Sequence, residues 1–346
     1  MRHRTNPPIR RRTPPAKIVP KHRHHATLNW AAAVEREHGV QLLPLGYTIT
    51  EYAEKSTNMP TYTIACGPRS LELGRRTLIM GIVNITPDSF SDGGHFFSTD
   101  RAVSQALQLV AEGADILDIG GESTRPYSEP VSEAEEVSRV IPVIEKLVDR
   151  VDVPISIDTT KARVAREAVA AGATIINDIA ALRMDPEMAV TAARCKVPVI
   201  LMHMKGIPKT MQQAPVYDDL IGEIKTFLQE AMAVAVAAGV DRNDIILDPG
   251  IGFGKTITHN LQILRELERF NDLEAPLLVG SSRKMFVRQL VKDPSAADID
   301  PLSPQVAWGT QATVAAAAMQ GAHIVRVHDV ARTRATLSVI DAIRSA

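Results

Sequence analysis

The sequence predicts an α/β fold, a (β/α)8 barrel of the TIM type, preceded by a short N-terminal hairpin and a disordered basic N-terminal extension. Three observations carry that expectation. Eight short apolar runs recur between residues 78 and 327, each of the kind that makes a strand buried on both faces. Helical patterns fill the intervals, as they do where crossover helices join parallel strands. Every run is followed by hydrogen-bonding or charged residues, at the strand ends where such barrels keep their active sites.

The chain opens on a segment unlike the rest. Met1 to Thr27 carries Arg2, Arg4, Arg10, Arg11, Arg12, Lys17, Lys21 and Arg23, five prolines and no acidic residue. Proline breaks helices and like charges repel, so residues 1–60 are expected to be largely disordered, with one short helix over Asn29–His38 ending at Gly39. The segment lacks the apolar centre of a secretory signal, and its prolines argue against the amphipathic helix of an organellar leader. Tyr62–Cys66 and Ser70–Leu73, on either side of Gly67-Pro68-Arg69, read as a small hairpin. It opens the second unit, 61–346.

The eight runs are Leu78–Val83, Ile116–Ile119, Ile155–Ile157, Thr174–Ile176, Val199–Met202, Ile245–Leu247, Leu277–Val279 and Ile324–Val327. The clearest helix between them is Asp100–Glu112. Ala102, Val103, Ala106, Leu107 and Val110 share one face there, with Thr99 to cap the start and Gly113 the end. Ser132-Glu133-Ala134-Glu135 is a capping box opening another, which Pro142 is expected to kink or restart. Lys161–Ala171 ends at Gly172, Asp185-Pro186 opens a helix, a long one ends near Gly239, and Thr310–Gln320 ends at Gly321. A doubly wound open sheet is the rival fold; the Gly-rich dinucleotide fingerprint expected after its first strand is missing here.

Composition bounds the function. The 346 residues are 45% hydrophobic but only 4% aromatic, so aliphatic side chains must fill the core, and a net charge of −1 gives no reason to expect a nucleic-acid partner. Cys66 and Cys195 are isolated, which speaks against a disulfide framework and against a zinc site. No apolar run approaches the ~20 residues that span a bilayer, so the expected setting is soluble and cytoplasmic.

The residues after the runs divide by chemistry. Asp158, Asn177 and Asp248, joined by Lys284, offer carboxylates, an amide and an ammonium, which suit the rim of a flat heterocycle carrying several N–H donors and a carbonyl. The competing reading of Asp158 and Asp248 is that they only cap the segments that follow. Asn84, Thr124, Arg125, Arg326 and His328 are anion-binding types, and Asn84 with Asp92 would hold Mg2+ through oxygen. Together they point to a substrate with a heterocycle at one end and a diphosphate at the other. Two tempting motifs fail. Gly250-Ile251-Gly252-Phe253-Gly254-Lys255-Thr256 resembles a P-loop, but Pro249 stands where that motif needs Gly. His203, between two methionines, lacks partners at ligand spacing and reads as a packed or hydrogen-bonded residue.

The segments IVNITPDSFSDGG, GGESTRP, ISIDT, INDI, LMHMKG, LDPGIGFGKT, SSRK and VRVHDV, in this order, closely resemble the dihydropteroate synthase family from about Tyr62 to the C-terminus. The resemblance implies a transferase of folate biosynthesis. Such an enzyme condenses 6-hydroxymethyl-7,8-dihydropterin diphosphate with p-aminobenzoate to give 7,8-dihydropteroate and pyrophosphate. It further implies that Asp158, Asn177, Asp248 and Lys284 hold the pterin, with Met202 and Phe253 also in contact with substrate. Thr124, Arg326 and His328 would meet the diphosphate, and Asn84 would meet Mg2+. Ser282, Thr124, Arg125 and Pro126 would line the p-aminobenzoate pocket. Asp92, Asp158, Lys284, Arg326 and His328 are the expected catalytic set. The family is usually homodimeric and is the sulfonamide target. Tyr127 departs from the family, which often has Gly after Arg-Pro. The rival enzyme is a pterin-binding methyltransferase of the same barrel type, which would not need the loops around Asp92 and Thr124–Arg125. A non-catalytic pterin-binding paralogue would be expected to lose Asn84, Lys284 or Arg326, and all three are here.

Overall fold

Apolar runs buried on both faces are accommodated here with one face against helices and the other against the interior of a closed sheet, and the chain does this eight times. The computed structural model describes residues 59–85, 95–123, 130–206, 210–212 and 214–346, with the side chains of 95–98 excepted. The basic extension, the helix expected at Asn29–His38, and Asp92, Thr124, Arg125, Pro126 and Tyr127 lie outside the described residues.

An antiparallel hairpin comes first, β1 (Tyr62–Cys66) and β2 (Arg69–Leu73), in register from Tyr62–Leu73 to Cys66–Arg69. Its two-residue turn needs φ > 0 at the first position, which Gly67 supplies at 64°. The barrel strands are β3 (Leu78–Asn84), β4 (Ile116–Gly120), β5 (Ile155–Asp158), β6 (Ile175–Asp178), β7 (Val199–Met202), β8 (Ile245–Asp248), β9 (Leu278–Val279) and β10 (Ile324–Val327). All pair in parallel in the order β8-β7-β6-β5-β4-β3-β10-β9, and a parallel bridge from Leu247 to Leu277 joins β8 to the start of β9, closing the ring.

Period-two alternation sorts each strand. Ile79, Val83, Leu117, Ile119, Ile157 and their counterparts point outward into the main core beneath the helices. Leu78, Met80, Ile116, Ile175, Ile200, Ile246, Leu278 and Ile324 point inward at the N-terminal ends of the strands, where Ile64, Cys66, Leu71 and Leu73 of the hairpin join them. The hairpin therefore plugs the bottom of the barrel. Each large aliphatic side chain it buries contributes about 1.5–3 kcal/mol.

The helices are α1 (His95–Ala111), α2 (Glu133–Leu147), α3 (Ala162–Ala170), α4 (Met188–Cys195), α5 (Leu220–Ala238), α6 (Ile257–Arg265), α7 (Met285–Val291), α8 (Pro304–Met319) and α9 (Val330–Ser345). Several bounds differ from expectation for local reasons. α1 begins at His95, five residues ahead of Asp100. α8 begins at Pro304, not Thr310, because Ser303 sits at the N-cap and Pro304 at the first turn, where its missing N–H costs nothing. Asp185 makes a turn, its carbonyl accepting from Met188 N at 3.1 Å, before α4 starts. Ser132 caps α2 through Glu135 N, but the Glu135 carboxylate pairs with Arg139, and α2 runs on through Pro142. α5 ends where expected, with Gly239 at φ 107°.

Candidate active site

The inward residues change character at the C-terminal ends of the strands. Strand register sets Asn84, Gly120, Asp158 and Asn177 side by side across β3, β4, β5 and β6, and pairs Met202 with Asp248 across β7 and β8. A side chain on Gly120 would come within 3.6 Å of Asn84 Oδ1 and 3.8 Å of Asp158 Oδ2, so the two groups flank one glycine-wide gap.

Below this rim lies a buried charge cluster that sequence reading only half found. Arg326, on β10, donates from Nε to Asp118 Oδ2 and from Nη2 to Asp158 Oδ2, both at 2.6 Å. Asn177 Nδ2 donates to the same Asp118 oxygen at 3.1 Å. Asp118 is fully buried inside β4 and was not among the expected site residues. Burial would discharge Arg326, but Asp118 and Asp158 more than offset it, and its pKa is raised. Two carboxylates share one guanidinium, so a negative charge is left over. Burial pushes Asp158 up to about 7, with Arg326 opposing and Asp118 adding to the rise.

The same mouth carries Asp248, at the end of β8, and Lys284. Asp248 Oδ1 accepts from Gly250 N at 2.7 Å. Burial raises its pKa, against the pull of Lys284, the Gly250 N–H and Lys255. Lys284 stands at the N-cap of α7, donates to the Ile251 carbonyl, and lies 4.4 Å from the centre of the Phe253 ring. Burial pulls it down to about 7 although Asp248 works to raise it. Phe253 and Met202 belong to an apolar patch with Ile179, Met204 and Met211, which makes a greasy wall beside the polar rim.

Ser282 and His328 meet at 3.0 Å, Oγ to Nδ1, and the His328 backbone N–H also donates to Ser282 Oγ at 3.3 Å. Asp178, next to Asn177, faces the other way and accepts from Ala180 N and Leu182 N at 2.8 and 2.7 Å; burial pushes it up to about 6. His203 is buried and hydrogen-bonded to Lys255, as expected of a packed residue. Three further residues brace the mouth. Lys161 donates to Glu122 and to the buried Glu136, while Glu122 accepts from Val131 N at 3.1 Å, which holds residues 122 and 131 together. Their signal was present in the sequence only as charges within ordinary helix and loop patterns.

Among the described residues, no three His, Cys, Asp or Glu side chains gather into a metal site. Asn84 is the one expected metal ligand that the structure describes, half-buried at the end of β3. The mouth thus alternates acceptors (Asp158, Asn177, Asp248) with a donor (Lys284) around a wall of Met202 and Phe253, an arrangement able to grip the edge and face of a polar heterocycle.

Comparison with known proteins agrees. The profile described as pterin binding enzyme matches residues 80–328. The chain is similar to a dihydropteroate synthase of Synechocystis, 48% identical over 277 residues that cover 80% of this chain and 93% of that protein. Among solved structures, it is similar to the Yersinia pestis dihydropteroate synthase in complex with a sulfonamide drug, at 47% identity and a TM-score of 0.76, covering 82% of this chain and all of that one. A second is the Xanthomonas albilineans dihydropteroate synthase with 4-aminobenzoic acid, at 45% identity and a TM-score of 0.75, covering 83% of this chain and all of that one.

Proposed function

The chain belongs to the pterin binding enzyme family, and on that premise we propose that it is a dihydropteroate synthase, joining 6-hydroxymethyl-7,8-dihydropterin diphosphate to p-aminobenzoate. The observation that carries the reading is the convergence of Asp158, Asn177, Asp248 and Lys284, drawn from four strand ends, on one mouth. In this reading the carboxylates of Asp158 and Asp248 and the Asn177 amide meet the N–H edge of the pterin, Lys284 donates to its carbonyl, and Phe253 and Met202 cover its face.

The reaction needs no protein nucleophile. The C–O bond to the diphosphate breaks first, and the electron-rich pterin, beside ionised Asp158, carries the positive charge left at its methylene. The amine of p-aminobenzoate then attacks that carbon and loses a proton, giving 7,8-dihydropteroate and pyrophosphate. Arg326 and His328 are assigned to the departing charge, with Thr124 also assigned to the diphosphate. Ser282, Thr124, Arg125 and Pro126 are assigned to p-aminobenzoate. Mg2+ is commonly held by one or two protein oxygens together with substrate phosphates, which suits a single described ligand, Asn84, completed by Asp92 and the diphosphate. Bound there, the ion would stabilise charge on the leaving group. The residues around Asp92 and Thr124–Pro130 would exclude water from the charged carbon.

Two coarser features complete the proposal. A groove of about 540 Å³ lined by Leu261, Leu264, Val287, Leu290, Val291 and Met319 runs between α6, α7 and α8, and this apolar surface supports a homodimer. No helix among the described residues is long and apolar enough to cross a membrane. The proposal is a cytoplasmic enzyme with its barrel at 61–346 and a basic extension at 1–60.

The test is to incubate the protein with the pterin diphosphate, p-aminobenzoate and Mg2+ and to measure pyrophosphate. Release that requires both substrates and the metal supports the synthase. Methylation of a corrinoid instead would make it the related methyltransferase, and neither activity would leave a pterin binder.

A further inference from the structure

Lys255 has no part in the synthase chemistry assigned to Asp158, Asn177, Asp248 and Lys284. It is 2% exposed, one of the largest fully buried side chains in the molecule. Its Nζ lies 2.8 Å from His203 Nδ1, 3.1 Å from the Phe253 carbonyl oxygen and 3.5 Å from the His203 carbonyl oxygen. Three acceptors match the three N–H donors of an ammonium. Burying a cation is costly, and an apolar side chain of the same length would fill the space without that cost.

The contacts of Lys255 all fall on segments that carry the site. His203 follows Met202, and its backbone N–H donates to the Asp248 carbonyl at 2.9 Å. Gly250 caps the Asp248 carboxylate, and a Cβ on Gly250 would lie 3.3 Å from Lys255 Nζ, so the ammonium sits directly behind that turn. Phe253 is the ring beneath Lys284. We propose that Lys255 is a positioning residue for the heterocycle end of the site: seated between the turn after β7 and the loop after β8, its ammonium fixes Phe253 and the Gly250 turn and places a positive charge behind Asp248. The inference rests on the pterin assignment of Asp248 and Phe253.

The charged and titratable groups around this position are few. Burial pulls the Lys255 ammonium well down from its ordinary value, Asp248 on β8 opposes that fall and Lys284 at the start of α7 adds to it, and Arg326 reaches Asp248 from β10. His203 is held neutral by burial and by Lys255, Lys205 adds positive charge after β7, and His259 on α6 feels both lysines. Asp248 is therefore flanked by two lysines, and because Lys255 pulls the pKa of Asp248 down, removal of that lysine should raise it.

The experiment compares the unaltered full-length protein with Lys255→Met and Lys255→Gln. The readouts are calorimetric titration with 6-hydroxymethylpterin across pH, the thermal transition, and the KM of each substrate. Gln keeps an amide donor for the Phe253 carbonyl but not the charge. The expected result is a Met variant that melts cooperatively, binds the pterin about tenfold more weakly and shows a similar rise in KM for the pterin diphosphate, with KM for p-aminobenzoate within about twofold. The acid limb of pterin binding should move to higher pH in both variants. Pterin affinity and acid limb unchanged from the unaltered protein would overturn the proposal, and the Gln variant decides it if Met does not fold. Failure of the unaltered protein to bind pterin would instead overturn the function assigned above.

Discussion

Asp118 and Arg326 meet at 2.6 Å in the floor of the barrel mouth, and the same guanidinium reaches Asp158 at an equal distance. The arrangement is a competition. Asp118 draws positive charge away from Asp158 while adding its own negative charge nearby. Replacing Asp118 by Asn keeps an oxygen for Arg326 Nε and Asn177 Nδ2 but removes the charge. Asp158 should then titrate at lower pH, and the acid limb of kcat/KM should move down by about one pH unit, since one unit corresponds to only ~1.4 kcal/mol of lost repulsion. A profile that stays in place would show that Asp118 does not act on Asp158.

The unaltered enzyme should show a narrow bell in kcat/KM centred near neutrality. Burial pushes Asp158 up to about 7 and pulls Lys284 down to about 7, so the pair is ionised together only over a restricted range. Stability moves the opposite way. The folded state holds a proton on Asp158 that the unfolded chain has lost between about pH 4 and 7, so stability falls as pH rises through that window. It lacks a proton on Lys284 that the unfolded chain keeps between about pH 7 and 10, so stability recovers above neutrality. The melting temperature of the unaltered ligand-free protein relative to Asp158→Asn should therefore fall between about pH 4 and 7, a difference from which the oppositely directed contributions of His203 and His323 cancel. A difference that does not change with pH would contradict this.

The barrel was legible because burial on both faces leaves its mark as an uninterrupted apolar run, and the site was legible where polar residues follow such runs, as at Asp158, Asn177 and Asp248. The same filter passed over Asp118, which lies within the run Ile116–Ile119 and enters the barrel one layer deeper. Lys255 was weighed only as a phosphate-binding lysine; its partner His203 is 52 residues away, a pairing that no local pattern reveals. The hairpin was visible as two strands, but its role as the barrel's plug depends on residues gathered from seven separate barrel strands. Pro142 and Thr310 misled for a simpler reason: the Ser132 cap and tertiary packing carried α2 through Pro142, and Pro304 in the first turn starts α8 ahead of Thr310.

Removing Arg326 should separate catalysis from folding in a pH-dependent manner. Arg326→Ala leaves Asp118 and Asp158 facing each other without their shared cation. Turnover should fall by about a thousandfold or more, as for loss of a group that faces developing charge. The protein should lose about 3–5 kcal/mol of stability at pH 8. That loss should shrink at pH 6, where Asp158 takes up a proton and the repulsion is relieved. Urea unfolding at the two pH values measures it; equal losses would mean that the carboxylates do not repel as the geometry requires.

The loop behind Asp248 offers a test that leaves every ionisable group in place. Gly250 has φ 71°, in the left-handed region where side chains are strained, and a Cβ there would stand 1.8 Å from the His203 carbonyl oxygen. Gly250→Ala must therefore move either the turn after β7 or the loop after β8. Strain of this kind costs about 1–3 kcal/mol, so the variant should fold but melt earlier. The displaced turn would withdraw its N–H from Asp248 Oδ1, at 2.7 Å in the structure, and carry Phe253 with it. Binding of the pterin should weaken by at least about tenfold, whereas the bonds of Arg326 to Asp118 and Asp158, made between β10, β4 and β5, keep their distances. Titration with a pterin and with p-aminobenzoate separates the two effects. Weakening confined to the pterin is the expected outcome, and equal weakening of both ligands would mean that the β8 loop does not serve the heterocycle alone.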